Sequence, residues 1–186
     1  MFHGAHCLPW SSLAMLRQFR VLVLNAGAHR VPVEHYRGQM RKLGHLIRAF
    51  LDGRASEGGR GARVYFRTTV PGFSDCDGTR HIAPHRTVGE AETFLRAHSY
   101  YQQHEFVPEA NRIAINETMQ AGARILDVYP SSILRVDDRA GRSMGGSGID
   151  CLHYRQPFLN TSLGGWARLL GESLHDIVLP ISGAQG

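Results

Sequence analysis

The stretch FRVLVLNAG, from Phe19 to Gly27, is a run of apolar and β-branched residues that ends in Asn-Ala-Gly. Strands of a parallel sheet have this continuous apolar character, because helices cover both faces of such a sheet. The stretch therefore predicts a buried parallel strand whose carboxyl end opens into a loop.

Further elements are predicted along the chain after this stretch. Apolar residues recur at spacings of three and four in residues 33–51, which is typical of an amphipathic helix. The segments ARVYFRTT, Ala62 to Thr69, and ARILDVYP, Ala123 to Pro130, predict two more strands. Strands that alternate with helices indicate an α/β fold with a mainly parallel sheet.

The other segments are expected to be helices and a loop. Residues 94–122 predict mostly helix, with a break near Pro108 that fits the first turn of a new helix. A last helix is expected around residues 163–174, and the glycine-rich segment at residues 137–148 is expected to be a loop.

The composition is that of one globular domain. The chain has 186 residues, of which 42% are hydrophobic, and no apolar run approaches the roughly 18 residues that a membrane span requires. The formal net charge is +5, but the basic residues are scattered, so no nucleic-acid partner is expected. We divide the chain into a poorly defined segment, a domain and a tail, at residues 1–18, 19–174 and 175–186.

Two metal-binding patterns are missing from the sequence, and no targeting signal is recognised in it. Three cysteines form no C-x-x-C pair, and eleven histidines form no H-E-x-x-H motif, so no metal site is expected. The first 16 residues do not have the basic and apolar regions of a signal peptide.

Acid–base chemistry is indicated by GIDCLHYRQP, from Gly148 to Pro157, where an aspartate precedes a histidine by three residues. If this segment is a short polar turn, the Asp150 carboxylate can accept the Nδ1 proton of His153 and leave Nε2 to take a proton from a hydroxyl. The alternative is a turn aspartate beside a packing histidine, because the D-x-x-H pattern is common by chance.

Polar residues also follow the first two predicted strands. Residues 25–29 follow the first strand and residues 67–69 end the second. Ligand sites of parallel sheets lie outside the carboxyl ends of the strands, so these groups are candidates for one site together with Asp150 and His153.

Four blocks in this order resemble the C-terminal part of the PC-esterase family: VLVLNAGAH, VYFRTTVPGFSDC, ILDVYPSSILRVDDRAG and DCLHY. That family groups the trichome birefringence-like proteins of plants with SGNH/GDSL-type acyl esterases and transferases. The resemblance covers residues 19–170. It implies a three-layer, flavodoxin-like SGNH hydrolase fold that here lacks its first strand.

The resemblance also implies an activity and a setting. The expected enzyme is an acyl (acetyl) esterase or O-acetyltransferase that acts on polysaccharide or glycan hydroxyls through a Ser-His-Asp mechanism. Its partners would be a glycan acceptor and an acyl donor, without a cofactor. The expected location is the Golgi lumen or the secretory pathway.

Residue roles follow from the matched motifs. The D-x-x-H motif falls on Asp150, the orienting acid, and His153, the general base. The N-x-G block falls on Asn25 and Gly27, where an amide and a backbone N–H would face a developing oxyanion.

Other matched positions imply binding and bridging roles. His29 would line the pocket. Arg67 would hold the substrate or a charged intermediate, with a structural ion pair as the alternative. Cys76 would form a disulfide with Cys151, and free thiols remain the alternative.

The sequence departs from the family's pattern at the nucleophile. The family carries it in a Gly-Asp-Ser block, and this tripeptide does not occur in the sequence. Either the chain is a truncated product whose first strand and nucleophile are missing, or it is a shortened relative that binds glycan without catalysis. The chain by itself is expected to be nearly inactive, because loss of the nucleophile removes about 10⁶-fold in one serine protease.

Overall fold

A parallel sheet forms the centre of the structure. The computed structural model describes residues 16, 18–56, 61–74, 76, 83–100, 102–142, 149–154 and 162–178. The sheet contains β1 (Val21–Leu24), β2 (Arg63–Arg67) and β3 (Arg124–Leu126), in the order β1-β2-β3. Both pairings are parallel, so the predicted α/β fold with a parallel sheet is confirmed.

The central and edge strands differ in burial. Val64, Tyr65 and Phe66 of the central strand β2 are buried, as a strand with neighbours on both sides requires. In β1 only Leu22 is buried, and Val23 is 45% exposed. The prediction that the first strand is buried throughout is therefore wrong, because an apolar run does not reveal that its strand lies at the edge of the described sheet.

Five helices accompany the strands in the described part of the chain: α1 (Val33–Ser56), α2 (Val88–Ala97), α3 (Gln103–Gln120), α4 (Tyr129–Ile133) and α5 (Ser162–Val178). The predicted first and last helices are confirmed by α1 and α5. None of the described helices combines the length and apolar character needed to cross a membrane.

Helices α1 and α3 pack against each other and against the sheet. Tyr36 of α1 meets Phe106 of α3 edge-on, with ring centroids 5.7 Å apart, and both belong to one buried cluster with Phe66 of β2. A Cβ atom at Gly44 would lie 3.2 Å from the carbonyl oxygen of Glu117, so the two helix backbones are close. This packing fixes α3 beside the carboxyl end of β2.

The predicted break at Pro108 is wrong. The break falls between Ala97 and Gln103, and Pro108 lies inside α3. Proline cannot donate the backbone hydrogen bond of a helix interior, which weakens that turn. Phe106 and Val107 are buried directly before it, and their packing holds the turn in helical form.

A second sheet follows the parallel one. A 3-10 helix (Val136–Asp138) leads into β4 (Arg139–Arg142), which pairs antiparallel with β5 (Ile149–Tyr154). The expectation of a loop at residues 137–148 is therefore wrong for its described part, residues 137–142. Asp150 and His153 lie on β5 and not at the end of a strand of the parallel sheet.

Candidate active site

Asp150 and His153 make a direct contact. His153 Nδ1 lies 2.8 Å from Asp150 Oδ2, while Asp150 Oδ1 accepts hydrogen bonds from the backbone N–H groups of Leu152, at 3.1 Å, and His153, at 2.9 Å. The His153 side chain is 75% exposed and the Asp150 side chain is 27% exposed. With Nδ1 on the carboxylate, Nε2 is the ring nitrogen left to exchange a proton with a reactant.

An irregularity of the hairpin allows this contact. Gly141 pairs with Asp150 and Arg139 pairs with Tyr154, so residues 151–153 of β5 face only Ala140 of β4. In a regular strand, side chains three residues apart point to opposite faces and are separated by about 10 Å. The extra residues form a bulge that turns the chain, and the predicted local turn is thus built into a strand.

The Asp150 carboxylate is held in its charged form. Partial burial favours the neutral acid, but the hydrogen bonds from the His153 N–H, the His153 ring and the Leu152 N–H outweigh it and keep the pKa of Asp150 below its ordinary value. An ionised Asp150 can fix the tautomer of His153 and stabilise its protonated form.

This lowered pKa predicts a pH-dependent contribution to stability. A carboxylate whose pKa is lower in the folded state stabilises that state above its unfolded pKa, about 3.9, and the contribution is lost as pH falls through the folded pKa. We expect Asp150→Asn to lower the free energy of unfolding at neutral pH, and the difference from the unmodified chain to shrink in acid. Urea denaturation from about pH 7 to about pH 2 measures this, and a pH-independent difference would contradict it.

The loop after β1 is held to the loop after β2. Asn25 Nδ2 donates to the Arg67 carbonyl, at 2.8 Å, and to Thr69 Oγ1, at 2.7 Å, and Thr69 Oγ1 donates to the Ala26 carbonyl, at 2.6 Å. The Asn25 amide has two N–H groups, and both are used here. Its role in an oxyanion hole stays a prediction that requires the release of one of these bonds.

Gly27 is required where this loop passes Tyr36. Its φ is +105°, and a Cβ atom at this position would lie 3.1 Å from the Tyr36 hydroxyl oxygen. The same hydroxyl donates to the Ala26 carbonyl at 3.2 Å, and burial raises the pKa of Tyr36. The backbone of the N-x-G block is therefore fixed by packing on α1.

Arg67 extends from the end of β2 toward α5. Its guanidinium carbon lies 4.6 Å from the ring centroid of Trp166, a cation–π contact, and burial lowers the pKa of Arg67 while the Tyr154 phenol opposes this shift. Among the described residues, buried Arg67 Nη1 has no hydrogen-bond partner and Arg67 forms no ion pair. The predicted structural ion pair is thus not found among them, and substrate binding by Arg67 stays a prediction.

Gln103, a residue that the sequence did not indicate, joins three segments. Its Nε2 donates to the Ala28 carbonyl at 2.7 Å, and its Oε1 accepts from the Gly72 N–H at 2.6 Å. Gly72 in turn packs on β5, since a Cβ atom there would lie 2.9 Å from the Cys151 carbonyl oxygen. The loops after β1 and β2 therefore meet β5 beside the Asp150–His153 pair.

A cleft of about 600 Å³ lies at this junction. The residues that line it come from the loop after β1, the start of α3 and β5: His29, Arg30, Tyr100, Gln102, Gln103 and Leu152. His29 is exposed on one wall, and Leu152 stands between Asp150 and His153 on another. Leu152 is the residue of β5 that lines the cleft, and Asp150 and His153 do not line it.

A disulfide joins Cys76 to Cys151, with the Cα atoms 5.3 Å apart. Cys76 N–H also donates to Cys151 Sγ at 3.2 Å, and both residues are buried. The bond ties β5 to the chain that follows β2, one residue from Asp150. Among the described residues, no group of three or more histidine, cysteine or acidic side chains could hold a metal ion.

Two comparisons with known proteins give no relative. No model of a protein family matches the chain, and no curated protein matches it.

Proposed function

We propose that this chain carries the acid–base pair of an acyl esterase or O-acetyltransferase that acts on glycan hydroxyls. The supporting observation is the 2.8 Å contact between His153 Nδ1 and Asp150 Oδ2. His153 Nε2 takes a proton from the attacking hydroxyl and returns it to the leaving group, while Asp150 stabilises the protonated ring.

The fold supports this proposal in outline. Three parallel strands in the order β1-β2-β3, with α1 and α3 packed against them, are compatible with the flavodoxin-like SGNH fold that the resemblance implies. We propose that these strands form part of such a sheet, and that the hairpin of β4 and β5 places the D-x-x-H motif beside it.

The lining of the cleft is suited to a polar substrate. His29, Arg30 and Tyr100 bring hydrogen-bonding groups to its walls, and sugar hydroxyls are suited to such groups. Arg67 does not line this cleft, and its proposed role in holding an anionic group rests on its buried Nη1, which has no hydrogen-bond partner among the described residues.

A noncatalytic glycan-binding protein of the same fold is the second candidate. One observation favours it: the sequence contains no Gly-Asp-Ser tripeptide to supply the family's nucleophile. In that case the cleft binds a glycan, and the Asp150–His153 pair contributes hydrogen bonds only.

We also propose that the protein works in the Golgi lumen or elsewhere in the secretory pathway. The disulfide between Cys76 and Cys151 supports this, because disulfides form and persist in oxidising compartments and are rare in the cytosol.

Incubation with acetylated oligosaccharides tests the two candidates. Acetate release is measured by chromatography and binding by calorimetry, with His153→Gln as the catalytic blank. Release above that blank supports the esterase, and binding without release supports the glycan-binding protein. Neither binding nor release by the unmodified chain would contradict both.

A further inference from the structure

Ser99 and His104 form a second serine–histidine pair, apart from Asp150 and His153. Ser99 Oγ lies 2.6 Å from His104 Nδ1, and His104 Nε2 lies 3.6 Å from Glu105 Oε1. Serine, imidazole and carboxylate thus form a row. In the usual triad Nε2 faces the serine and Nδ1 faces the carboxylate, whereas here Nδ1 faces the serine and Nε2 faces the carboxylate.

The carboxylate favours the tautomer that a base requires. At 3.6 Å the Glu105 contact is too long for a hydrogen bond, but its negative charge attracts a proton on Nε2. When the proton is on Nε2, Nδ1 is the acceptor and the Ser99 hydroxyl donates to it. This arrangement prepares His104 to remove the Ser99 proton.

The backbone around Ser99 is held in place. Ser99 pairs with Phe73 in an isolated antiparallel bridge, and the neighbouring Ser74 N–H donates to the His98 carbonyl at 2.8 Å. Positioning of this kind keeps a nucleophile and its base at a fixed separation.

The segment between Ser99 and His104 forms a wall of the cleft. Tyr100, Gln102 and Gln103 all line it, and Gln102 has a φ of +55°, which is rare for a residue with a side chain. Strained backbone conformations cluster at functional sites. The His104 side chain is 17% exposed and Ser99 is half-buried, so the pair is partly shielded from water.

We infer that Ser99 is a nucleophile activated by His104, and that it accepts acyl groups from carboxylic esters that bind at the segment 99–104, next to the cleft that Tyr100, Gln102 and Gln103 line. Ser99 Oγ forms a bond to the ester carbonyl carbon while its proton passes to His104 Nδ1. The C–O bond of the ester then breaks, and the alcohol leaves with that proton. Water then attacks the acyl-serine and loses a proton to Nδ1; the bond between the acyl carbon and Ser99 Oγ breaks, Oγ takes that proton back from Nδ1, and the acid leaves.

This inference does not depend on the proposed role of His153. It assigns a nucleophile at a serine that no Gly-Asp-Ser motif marks, and its base is His104. A covalent probe can therefore test it without any turnover of glycan.

An alkyl fluorophosphonate is the probe. Ser99 Oγ would bond to phosphorus, fluoride would leave, and mass spectrometry of the digested chain locates the adduct. We expect an adduct at Ser99 that Ser99→Ala removes. His104→Gln should slow its formation by about 100-fold, the size of a typical general-base contribution, and added imidazole should restore part of the rate.

Ser74→Ala is the matched control, because Ser74 is a partly buried loop serine whose backbone bonds to His98, next to Ser99. In this variant, Ser99 should be labelled at the same rate as in the unmodified chain. Circular dichroism confirms that each variant is folded. An unlabelled Ser99, or labelling at an unchanged rate in His104→Gln, would overturn the inference. The His153-dependent release of acetate would be unaffected by either outcome, so the two proposals fail separately.

Discussion

Replacing Cys76 and Cys151 together with alanine is expected to lower the free energy of unfolding by about 4 kcal/mol. The disulfide joins residues 75 positions apart, and a link across so long a loop removes many conformations from the unfolded chain. Urea denaturation under oxidising conditions measures the loss.

The same denaturation in the presence of a thiol reductant provides the control for this prediction. Reduction should bring the stability of the unmodified chain close to that of the double variant, and it should leave the stability of the double variant unchanged. Equal stability of the oxidised chain and the variant would show that the bond does not constrain the unfolded chain as argued.

Loss of the disulfide should also change the structure around Asp150 and His153. Cys151 lies in the bulge between Asp150 and His153, and its bond to Cys76 holds that bulge against the chain after β2. Loss of the bond is therefore expected to loosen β5 locally as well as to lower the stability of the whole chain, because the bulge interrupts the ladder of hydrogen bonds.

The strands of the parallel sheet could be predicted because their signal is local. Val64, Tyr65 and Phe66 form a continuous apolar run, and burial between helices selects such runs. The capping box of α2 was equally readable, since Thr87 and Glu90 stand at its spacing and make both of its hydrogen bonds, but the prediction began that helical segment only at residue 94.

The candidate site was predictable only in part. The contact between Asp150 and His153 follows from their spacing once the chain turns, so the motif was sufficient to indicate it. The hairpin that produces the turn was not indicated, because Arg-Ala-Gly-Arg in β4 lacks the apolar alternation of a half-buried strand.

The links between distant segments left no signal in the sequence. Asn111 is buried, and its side-chain amide bonds both the N–H and the carbonyl of Thr69, each at 2.8 Å, across 42 residues of sequence. Gln103 bonds Ala28 across 75 residues. Such contacts depend on how the elements pack, and no local pattern of residue types encodes them.

In a Ser99→Ala background, which removes the separate ester hydrolysis proposed for Ser99 and His104, His153→Gln is expected to reduce the hydrolysis of 4-nitrophenyl acetate by about 100-fold, because His153 is then the base that removes a proton from the attacking group. This activated ester needs little help from a dedicated nucleophile, so it reports the base even in a chain without a Gly-Asp-Ser motif. Asp150→Asn should cause a smaller loss, because the ring remains but the tautomer is no longer fixed. His35→Gln is the control, since His35 is exposed on α1 and bonds only to Gln39 among the described residues.

The pH profile separates a catalytic His153 from one with a structural role. Only the neutral ring can accept a proton, so the rate should rise with pH until the ring is neutral. The lowered pKa of Asp150 keeps its carboxylate ionised throughout, so the acid adds no second step to the profile. An unchanged rate in His153→Gln, or a profile flat from about pH 5 to about pH 8, would leave the contact with Asp150 as a structural hydrogen bond of the hairpin.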